Sequence, residues 1–238
     1  PLPLQTVALL FHSGWSVERI FRLCFQRMNG LKNAPGASGP TPSLAPQYQD
    51  FANAVKILRK LQIQDAINLA YYESNGEPQL ILDVYADDSN REEAEQLALA
   101  LNLEPGKTRY VLTFSPVSQT TNQIRVVTRS LLGILFYLSQ AVEVPSQDIL
   151  QGKTTQTKTI EGEVFDWKKV TGDLLRVRSH NVKPETAPMN IFYRGTWFFI
   201  DDSDLSSKST FSLLAQIFSL QAGKIKDNAP LLTLPIGQ

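Results

Sequence analysis

An aromatic strand that leads directly into acidic residues and a helix is the feature that most constrains this chain. Residues 193–221 read YRGTWFFIDDSDLSSKSTFSLLAQIFSLQ. Thr196–Ile200 predicts a strand, and either Asp204 or Ser206 can cap the helix that we predict to end at Leu220. The apolar residues of this helix recur at helical spacing, at Phe211, Leu214, Ala215 and Phe218. The segment therefore predicts a strand–helix unit at the centre of a folded domain.

A hairpin is the clearest pattern in the first half of the chain. Ala66–Glu73 and Gln79–Tyr85 are strand-like, and the Asn75-Gly76 dipeptide between them supplies the positive φ angles of a type I′ turn. An amphipathic helix and a further strand at Arg109–Phe114 follow. In the second half, strands are also predicted at Leu174–Arg178 and Asn190–Tyr193. Runs of strands interrupted by single helices predict an α+β fold with mixed or antiparallel sheets.

A long helix is predicted in the middle of the chain. Thr121 or Asn122 can cap it, and its apolar residues continue from Ile124 to Val142. Because the stretch Leu131–Leu138 is apolar on nearly all faces, we expect this helix to be central and covered on several sides. The stretch is far shorter than the ~20 residues that a transmembrane helix needs. It therefore predicts a buried helix and not a membrane span.

The N-terminal part differs in composition from the rest. Residues 1–46 predict a helical segment, with a helix at Val17–Met28, followed by the Pro/Gly-rich loop Asn33–Pro46. Residues 47–238 are then predicted to form one α+β domain of two interlocking lobes. Proline removes backbone donors, so the loop cannot join a sheet or helix of its own domain. Two hypotheses stay open for it: a stiff contact arm against a neighbouring lobe or subunit, or a plain tether.

The charge balance bears on possible partners. Lys plus Arg and Asp plus Glu both number 23, so the formal net charge is zero. Nucleic-acid binders normally carry a clear excess of basic residues, so we expect no nucleic-acid partner. A neutral surface gives little colloidal repulsion, which suits a subunit held among other proteins.

Three carboxylates at the end of the aromatic strand are the only candidate metal ligands, Asp201, Asp202 and Asp204. Carboxylates at the end of a strand can hold Mg²⁺, which prefers oxygen ligands. Their spacing with Ser206 resembles the nucleophile strand of haloacid-dehalogenase-type phosphatases. That fold requires a parallel sheet, whereas this chain begins its sheet with a hairpin. The alternative is that these acids cap the following helix and pair with nearby arginines, namely Arg176, Arg178 and Arg194. The same arginines could instead form a basic patch for a phosphate, glycan or lipid headgroup.

The remaining reactive side chains give no catalytic pattern. His12 and His180 are isolated and lack the spacing of metal ligands. Cys24 is the only cysteine, lies among apolar residues, and is expected to be a buried small side chain. The sequence contains neither a Gly-x-Ser-x-Gly motif nor a glycine-rich phosphate loop. We therefore predict no catalytic residues and no cofactor.

Four blocks of the sequence resemble a group of uncharacterised bacterial envelope lipoproteins. These blocks are Arg129–Gln140, Tyr193–Asp202, Lys208–Leu214 and the proline-rich Ala37–Pro42. The resemblance implies a location in the bacterial periplasm or at the outer membrane, with a cleaved signal and a lipidated cysteine upstream. It also implies a role as an accessory subunit around an outer-membrane secretion core complex, such as the Dot/Icm type IV system. The chain begins without methionine, and we expect an upstream segment that is removed or disordered.

Two functions of different classes follow. The first is a non-enzymatic structural or assembly protein of the bacterial envelope, whose partners are other protein subunits and which is anchored peripherally through a lipid outside this chain. The alternative is a metal-dependent hydrolase or phosphatase that uses Asp201, Asp202 and Asp204. The first hypothesis is favoured by the missing catalytic patterns, the neutral charge and the resemblance.

Overall fold

One six-stranded sheet organises most of the chain. The computed structural model describes residues 1–34, 42–74, 76–114 and 121–227, with side chains to residue 223. The strands of this sheet are β1 (Phe25–Met28), β2 (Leu31–Lys32), β3 (Ile67–Ser74), β4 (Glu77–Val84), β5 (Arg109–Thr113) and β6 (Gln123–Thr128). They lie in the order β2-β1-β6-β5-β4-β3, and only β5 and β6 are parallel neighbours. The mixed sheet and the helices around it confirm the predicted α+β class.

Helices and a smaller sheet complete the described architecture. The helices are α1 (Leu4–His12), α2 (Val17–Cys24), α3 (Gln49–Ile63), α4 (Arg91–Ala100), α5 (Leu131–Ser139), α6 (Ser146–Leu150), α7 (Lys168–Thr171) and α8 (Leu205–Asp227). The smaller sheet is antiparallel and has the order β7-β9-β8, with β7 at Arg178–His180, β8 at Asn190–Tyr193 and β9 at Thr196–Phe199. The predicted strand Asn190–Tyr193 is thereby confirmed.

The core lies between the large sheet and the N-terminal helices. Helix α2 is short but strongly amphipathic, and it begins where Ser16 Oγ accepts a hydrogen bond from Arg19 N. Its apolar residues are all buried, namely Val17, Ile20, Phe21, Leu23 and Cys24. Helix α3 packs against α2, α4 and β3, and it buries Phe51 and Leu58. Each large apolar side chain buried in this way contributes about 1.5–3 kcal/mol.

The predicted hairpin is confirmed, and part of the proline loop is docked. Strands β3 and β4 pair in register from Ile67 with Val84 to Ser74 with Glu77, next to a turn in which Gly76 has a φ of 76°. In the loop, Ala45 N donates to Lys158 O at 2.7 Å and Lys158 N donates to Ser43 O at 3.0 Å.

Residues 42–46 therefore lie against the segment around residue 158. Residues 35–41 of the loop and the predicted final strand Pro230–Leu234 lie outside the described residues. Whether the loop also contacts another subunit stays a prediction.

The prediction of one long central helix from Ile124 to Val142 is wrong for its first part. Gln123–Thr128 is strand β6, in which Ile124, Val126 and Thr128 are buried and alternate with exposed Arg125 and Val127. This period of two and the β-branched residues are typical of a strand with one buried face. The helix itself is α5, where Ser130 Oγ accepts a hydrogen bond from Gly133 N at 3.1 Å.

The expectation that α5 is covered on several sides is wrong for one of its faces. Ile134, Tyr137 and Leu138 are buried, whereas Leu132 is 57% and Leu135 is 43% exposed. An apolar sequence on all faces shows only that no face is polar. In this chain the outer face of α5 is left uncovered by the described residues.

The predicted helix Val17–Met28 also ends early. Helix α2 stops at Cys24, and Phe25–Met28 becomes β1, which pairs with both β2 and β6. The first 46 residues thus contribute two strands to the large sheet. The division of the chain at residue 46 stays a prediction.

Candidate functional site

The three predicted carboxylates lie between β9 and α8, and each has a local partner. Asp201 Oδ1 accepts hydrogen bonds from Ser203 N at 3.0 Å and from Ser203 Oγ at 2.6 Å. Asp202 forms an ion pair with Lys208. Asp204 precedes α8, and its Oδ1 accepts a hydrogen bond from Ser207 N at 3.0 Å. Asp204 therefore caps α8, and it is one of the two residues that the sequence predicted for this role.

Hydrogen bonds and a nearby arginine favour the ionised forms of Asp201 and Asp204. Hydrogen bonds from Ser203 lower the pKa of Asp201, and Arg178 adds to this effect with Nη1 at 3.4 Å from Asp201 Oδ2. Burial alone would raise the pKa of Asp204, but hydrogen bonds from the backbone and side chain of Ser207 hold it below its usual value. The described residues contain no group of three His, Cys, Asp or Glu side chains arranged to hold a metal ion. The cluster is built as a helix cap with ion pairs.

The three predicted arginines do not form one patch. Arg178 pairs with Asp201, as predicted, and lies opposite Phe199 at one end of β9. Arg194 lies in the turn at the other end of that strand. Arg176 Nε donates a hydrogen bond to Gly172 O, and Arg176 and Arg178 both line a cavity whose lining does not include Arg194.

The histidines and the cysteine take structural positions. The ring of His12 contacts Phe11 edge-on, with ring centroids 5.6 Å apart, and His180 Nδ1 accepts a hydrogen bond from Val182 N at 3.0 Å. Cys24 is fully buried, and burial raises the pKa of its thiol to about 12. A thiol in this state is a poor nucleophile at neutral pH.

A buried arginine is the principal feature that the sequence did not reveal. The Arg129 side chain donates hydrogen bonds to four backbone carbonyl oxygens, those of Arg22, Leu23, Phe25 and Asn33. The first three lie where α2 ends and β1 begins, and the fourth lies just after β2. We call this group the carbonyl cage. Asn33 Nδ2 also donates to two of these oxygens, at 2.9 and 2.7 Å. The cage joins the end of β6 to the N-terminal segment.

The charge of Arg129 is balanced without a carboxylate. Arg129 is only 2% exposed, and burial lowers its pKa to about 10. It forms no ion pair within the described ranges. Its guanidinium instead lies 4.1 Å from the centre of the Tyr137 ring. The face of an aromatic ring attracts a cation, so this contact helps the carbonyl oxygens to stabilise the buried charge.

A second arginine lies beside the cage and is paired. Arg22 donates to both carboxylate oxygens of Asp173, at 2.6 and 2.7 Å, and to Val170 O at 2.7 Å. Burial alone would lower the pKa of Arg22, but the hydrogen bonds with Asp173 hold it above its usual value. This bidentate pair attaches α2 to the end of α7.

Next to these two arginines is a cavity of about 610 Å³ that we call the basic pocket. It is defined by Arg22, Lys56, Tyr137, Lys168, Lys169 and Arg176. The side chains come from α2, α3, α5 and α7 and from the segment that follows α7. The adjacent lysines at 168 and 169 were the only sequence signal of this pocket, and spacing alone could not show what faces them.

A third feature is the free side of the small sheet, which we call the aromatic edge. Three consecutive residues of β8 are more than half exposed, Ile191 at 64%, Phe192 at 56% and Tyr193 at 61%. The two residues between β8 and β9 have positive φ, 49° at Arg194 and 84° at Gly195, as a type I′ turn requires. Strand β8 is the last strand of its sheet within the described part of the chain.

Comparison with known proteins finds no relative of this chain. The chain matches no protein-family model, and no curated protein or solved structure matches it. Within the described residues, every helix is too short or too polar to cross a bilayer.

Proposed function

We propose that this chain is a non-enzymatic structural or assembly protein that binds another protein subunit through the aromatic edge. The observation that carries this proposal is strand β8, which is exposed and apolar and whose outer side pairs with no strand of the described residues. Such edges are normally protected by charges, prolines or covering elements, because they offer a template for pairing with another chain. Ile191, Phe192 and Tyr193 provide none of these protections.

The hydrogen-bond pattern of the hairpin identifies which backbone groups are available. In a two-residue hairpin the residues that flank the turn, here Tyr193 and Thr196, exchange both hydrogen bonds, and the pairs alternate from there. Ile191 with Phe198 is therefore the next bonded pair. Ile200 N donates to Met189 O at 3.1 Å, which fits the same alternation. Phe192 and Asn190 thus direct their N–H and C=O groups to the free side.

The side chains add apolar contact area on both faces of this edge. Ile191 and Tyr193 share one face, and Phe192 lies on the other against Trp197, with ring centroids 5.0 Å apart. A partner strand added to β8 would bury apolar side chains on both faces while its backbone completes the ladder. This is the recognition mode in which an extended peptide adds a strand to a sheet edge.

This geometry favours an extended segment as the partner, and we propose that the segment belongs to a different protein subunit. The placement of that subunit in a bacterial envelope complex, in the periplasm or at the outer membrane, is supported by the sequence resemblance alone. The same resemblance supports a secretion-type complex and a lipid anchor upstream of this chain. The uncovered apolar face of α5 agrees with a protein that has more than one neighbour.

A pair of substitutions at Phe192 tests the proposal. Phe192→Pro removes the outward backbone donor, whereas Phe192→Ala removes the same side chain and keeps the donor. Both isolated variants should unfold at similar temperatures, because Phe192 does not donate to β9. In extracts of the native envelope, the wild type and Phe192→Ala should sediment with a large complex, Phe192→Ala to a smaller extent. Phe192→Pro should sediment as the free chain.

Two results would count against the proposal. Phe192→Pro that stays in the complex as fully as Phe192→Ala would show that β8 gains no partner strand. A purified wild type that self-associates through β8, and loses this with Phe192→Pro, would make a second copy the occupant. Ile191→Pro is the structural control, since it removes a donor to β9 and should destabilise the hairpin itself.

A further inference from the structure

The basic pocket is independent of the aromatic edge and has its own chemistry. Five of its lining side chains are cationic and two are anionic, Asp50 and Asp173. Asp173 is already committed to Arg22 through two short hydrogen bonds. Lys168, Lys169 and Arg176 have no carboxylate within ion-pair distance in the ranges that the structure describes. The pocket lining therefore carries more positive than negative charge, although Asp204 also acts on Arg176 at longer range.

Tyr137 gives this pocket a second and independent mark of a ligand. The residue is 5% exposed and lines the cavity, yet its hydroxyl has no hydrogen-bond partner among the described residues. A buried hydroxyl without a partner costs about 1–3 kcal/mol. Such groups are rare in folded proteins and call for a bound water, ion or ligand.

The surroundings of Tyr137 favour an anion as that ligand. Its ring covers the guanidinium of Arg129, whose positive charge has no carboxylate partner in the described part of the chain. Arg22 is also near, so two buried guanidinium groups lie behind the phenol. A neutral acceptor would satisfy the hydroxyl, but only an anion also balances the lysines at the mouth.

We propose that the basic pocket binds a phosphate group carried by a small polar molecule or by a lipid headgroup. Tyr137 donates a hydrogen bond to a phosphate oxygen, while Lys168, Lys169 and Arg176 neutralise its charge. Lys56 lies on the α3 side, where it also interacts with Asp173.

The shape of the pocket extends the proposal beyond the phosphate itself. A volume of about 610 Å³ exceeds what one phosphate fills and lies within the range of small-molecule sites. The uncharged polar lining groups include Tyr48, Gln49 and Asn53, and Asp50 lies beside them. These groups can accept and donate hydrogen bonds to hydroxyls. The rest of the ligand is therefore polar, as in a sugar or glycerol phosphate.

Titration with inorganic phosphate and with glycerol 3-phosphate tests the site. Binding is measured by calorimetry and by thermal unfolding, against sodium chloride at equal ionic strength. Tyr137→Phe should weaken binding by about tenfold or more, since a hydrogen bond to a charged group is lost. The same variant without ligand should unfold at the wild-type temperature or above it, because an unsatisfied buried hydroxyl is gone. A purely structural role of the hydroxyl would lower that temperature.

Charge variants provide the matched comparison. Lys168→Gln with Lys169→Gln should weaken phosphate binding and its dependence on salt. Lys107→Gln is the control, because Lys107 lies in the turn before β5 and pairs with Glu104 at 3.5 Å. It should bind phosphate as the wild type does. Wild-type binding by both Tyr137→Phe and the double lysine variant, or no binding of either phosphate compound or of vesicles, would overturn the proposal.

A vesicle arm distinguishes the two sources of phosphate. The full chain is mixed with vesicles of phosphatidylcholine alone or with added phosphatidic acid. Retention on phosphatidic acid that Tyr137→Phe reduces supports a lipid headgroup as the source. Binding of glycerol 3-phosphate without retention on vesicles supports a soluble molecule. Retention that neither Tyr137→Phe nor the lysine variant changes would be non-specific and would count against a lipid ligand.

Discussion

The guanidinium of Arg129 lies 4.1 Å from the centre of the Tyr137 ring, and this contact joins the carbonyl cage to the basic pocket. Arg129 directly follows β6 and Tyr137 belongs to α5, so the contact also fixes the angle between a central strand and the next helix. A desolvated cation–π contact is worth about 2 kcal/mol. One side of Tyr137 therefore stabilises the fold, while its hydroxyl is left for a ligand.

The first prediction concerns the carbonyl cage. Arg129→Met should lower the free energy of unfolding by about 3 kcal/mol or more, because four buried carbonyl oxygens lose the hydrogen bonds of its guanidinium, and only those of Arg22 and Phe25 keep Asn33 Nδ2 as a side-chain donor within the described residues. Arg125→Met on the exposed face of β6, the strand that Arg129 follows, is the matched control and should change stability by less than about 0.5 kcal/mol. Urea denaturation measures both. Equal effects of the two substitutions would show that the cage adds nothing specific.

The second prediction concerns the Arg22–Asp173 pair and acid. Burial alone would raise the pKa of Asp173, but its hydrogen bonds with Arg22 hold it below its usual value. The folded state therefore binds fewer protons than the unfolded state near pH 4, so stability is present above that pH and is lost as the pH falls through the lowered pKa. Asp173→Asn should be less stable at pH 7 and should lose less of its stability on acidification.

The contribution of the Arg22–Asp173 ion pair to stability is limited because the Asp173 side chain is partly exposed to solvent. The Asp173 side chain is 60% exposed, so we expect a coupling energy of about 1 kcal/mol in a double-mutant cycle with Arg22→Met. Asp88→Asn is the control, because its pair with Arg91 is exposed on both sides. Identical acid denaturation curves for the wild type and Asp173→Asn would contradict the prediction.

Local signals account for the parts of the fold that the sequence predicted. The Asn75-Gly76 dipeptide and the Asp204 cap act within a few residues, and the structure contains both the β3–β4 hairpin and the helix that begins after Asp204. Strand β6 was missed because only Thr128, Arg129 and Ser130 separate its apolar residues from those of α5. Its strand conformation depends on pairing with β5 and β1, which are distant or unrecognised in the sequence.

The candidate sites also differ in whether their residues are close together in the sequence or distant from each other. The acidic cluster was found because its three residues follow one another in the chain. The carbonyl cage unites Arg129 with residues 22–33, and the basic pocket unites four helices, so neither has a spacing that a sequence pattern could show. The aromatic edge was predicted as a strand, but its exposure depends on which side of the sheet is left without a neighbour.

The third prediction concerns the thiol of Cys24. It is the only cysteine, it is fully buried, and burial raises its pKa to about 12. A thiol reagent at pH 8 should therefore not label the folded protein, whereas one thiol per chain should react in urea. The labelling rate at low urea measures how often the α2–β1 junction opens. Rapid labelling without urea would show that this junction is open in solution.

The last prediction separates the helix cap at Asp204 from a metal site. Asp204→Ala should lower stability by about 1 kcal/mol, because Ser207 N loses its acceptor at the start of α8. Asp202→Asn should change stability by less than about 0.5 kcal/mol, since Asp202 makes only a surface ion pair with Lys208.

Thermal unfolding should be the same with Mg²⁺, Mn²⁺ or Ca²⁺ as without, because the carboxylates of Asp201, Asp202 and Asp204 already have partners. An ion at 100 times its dissociation constant would add about 2.7 kcal/mol to a folded state that binds it. Stabilisation of that size, abolished by Asp202→Asn, would instead favour the metal-dependent hydrolase.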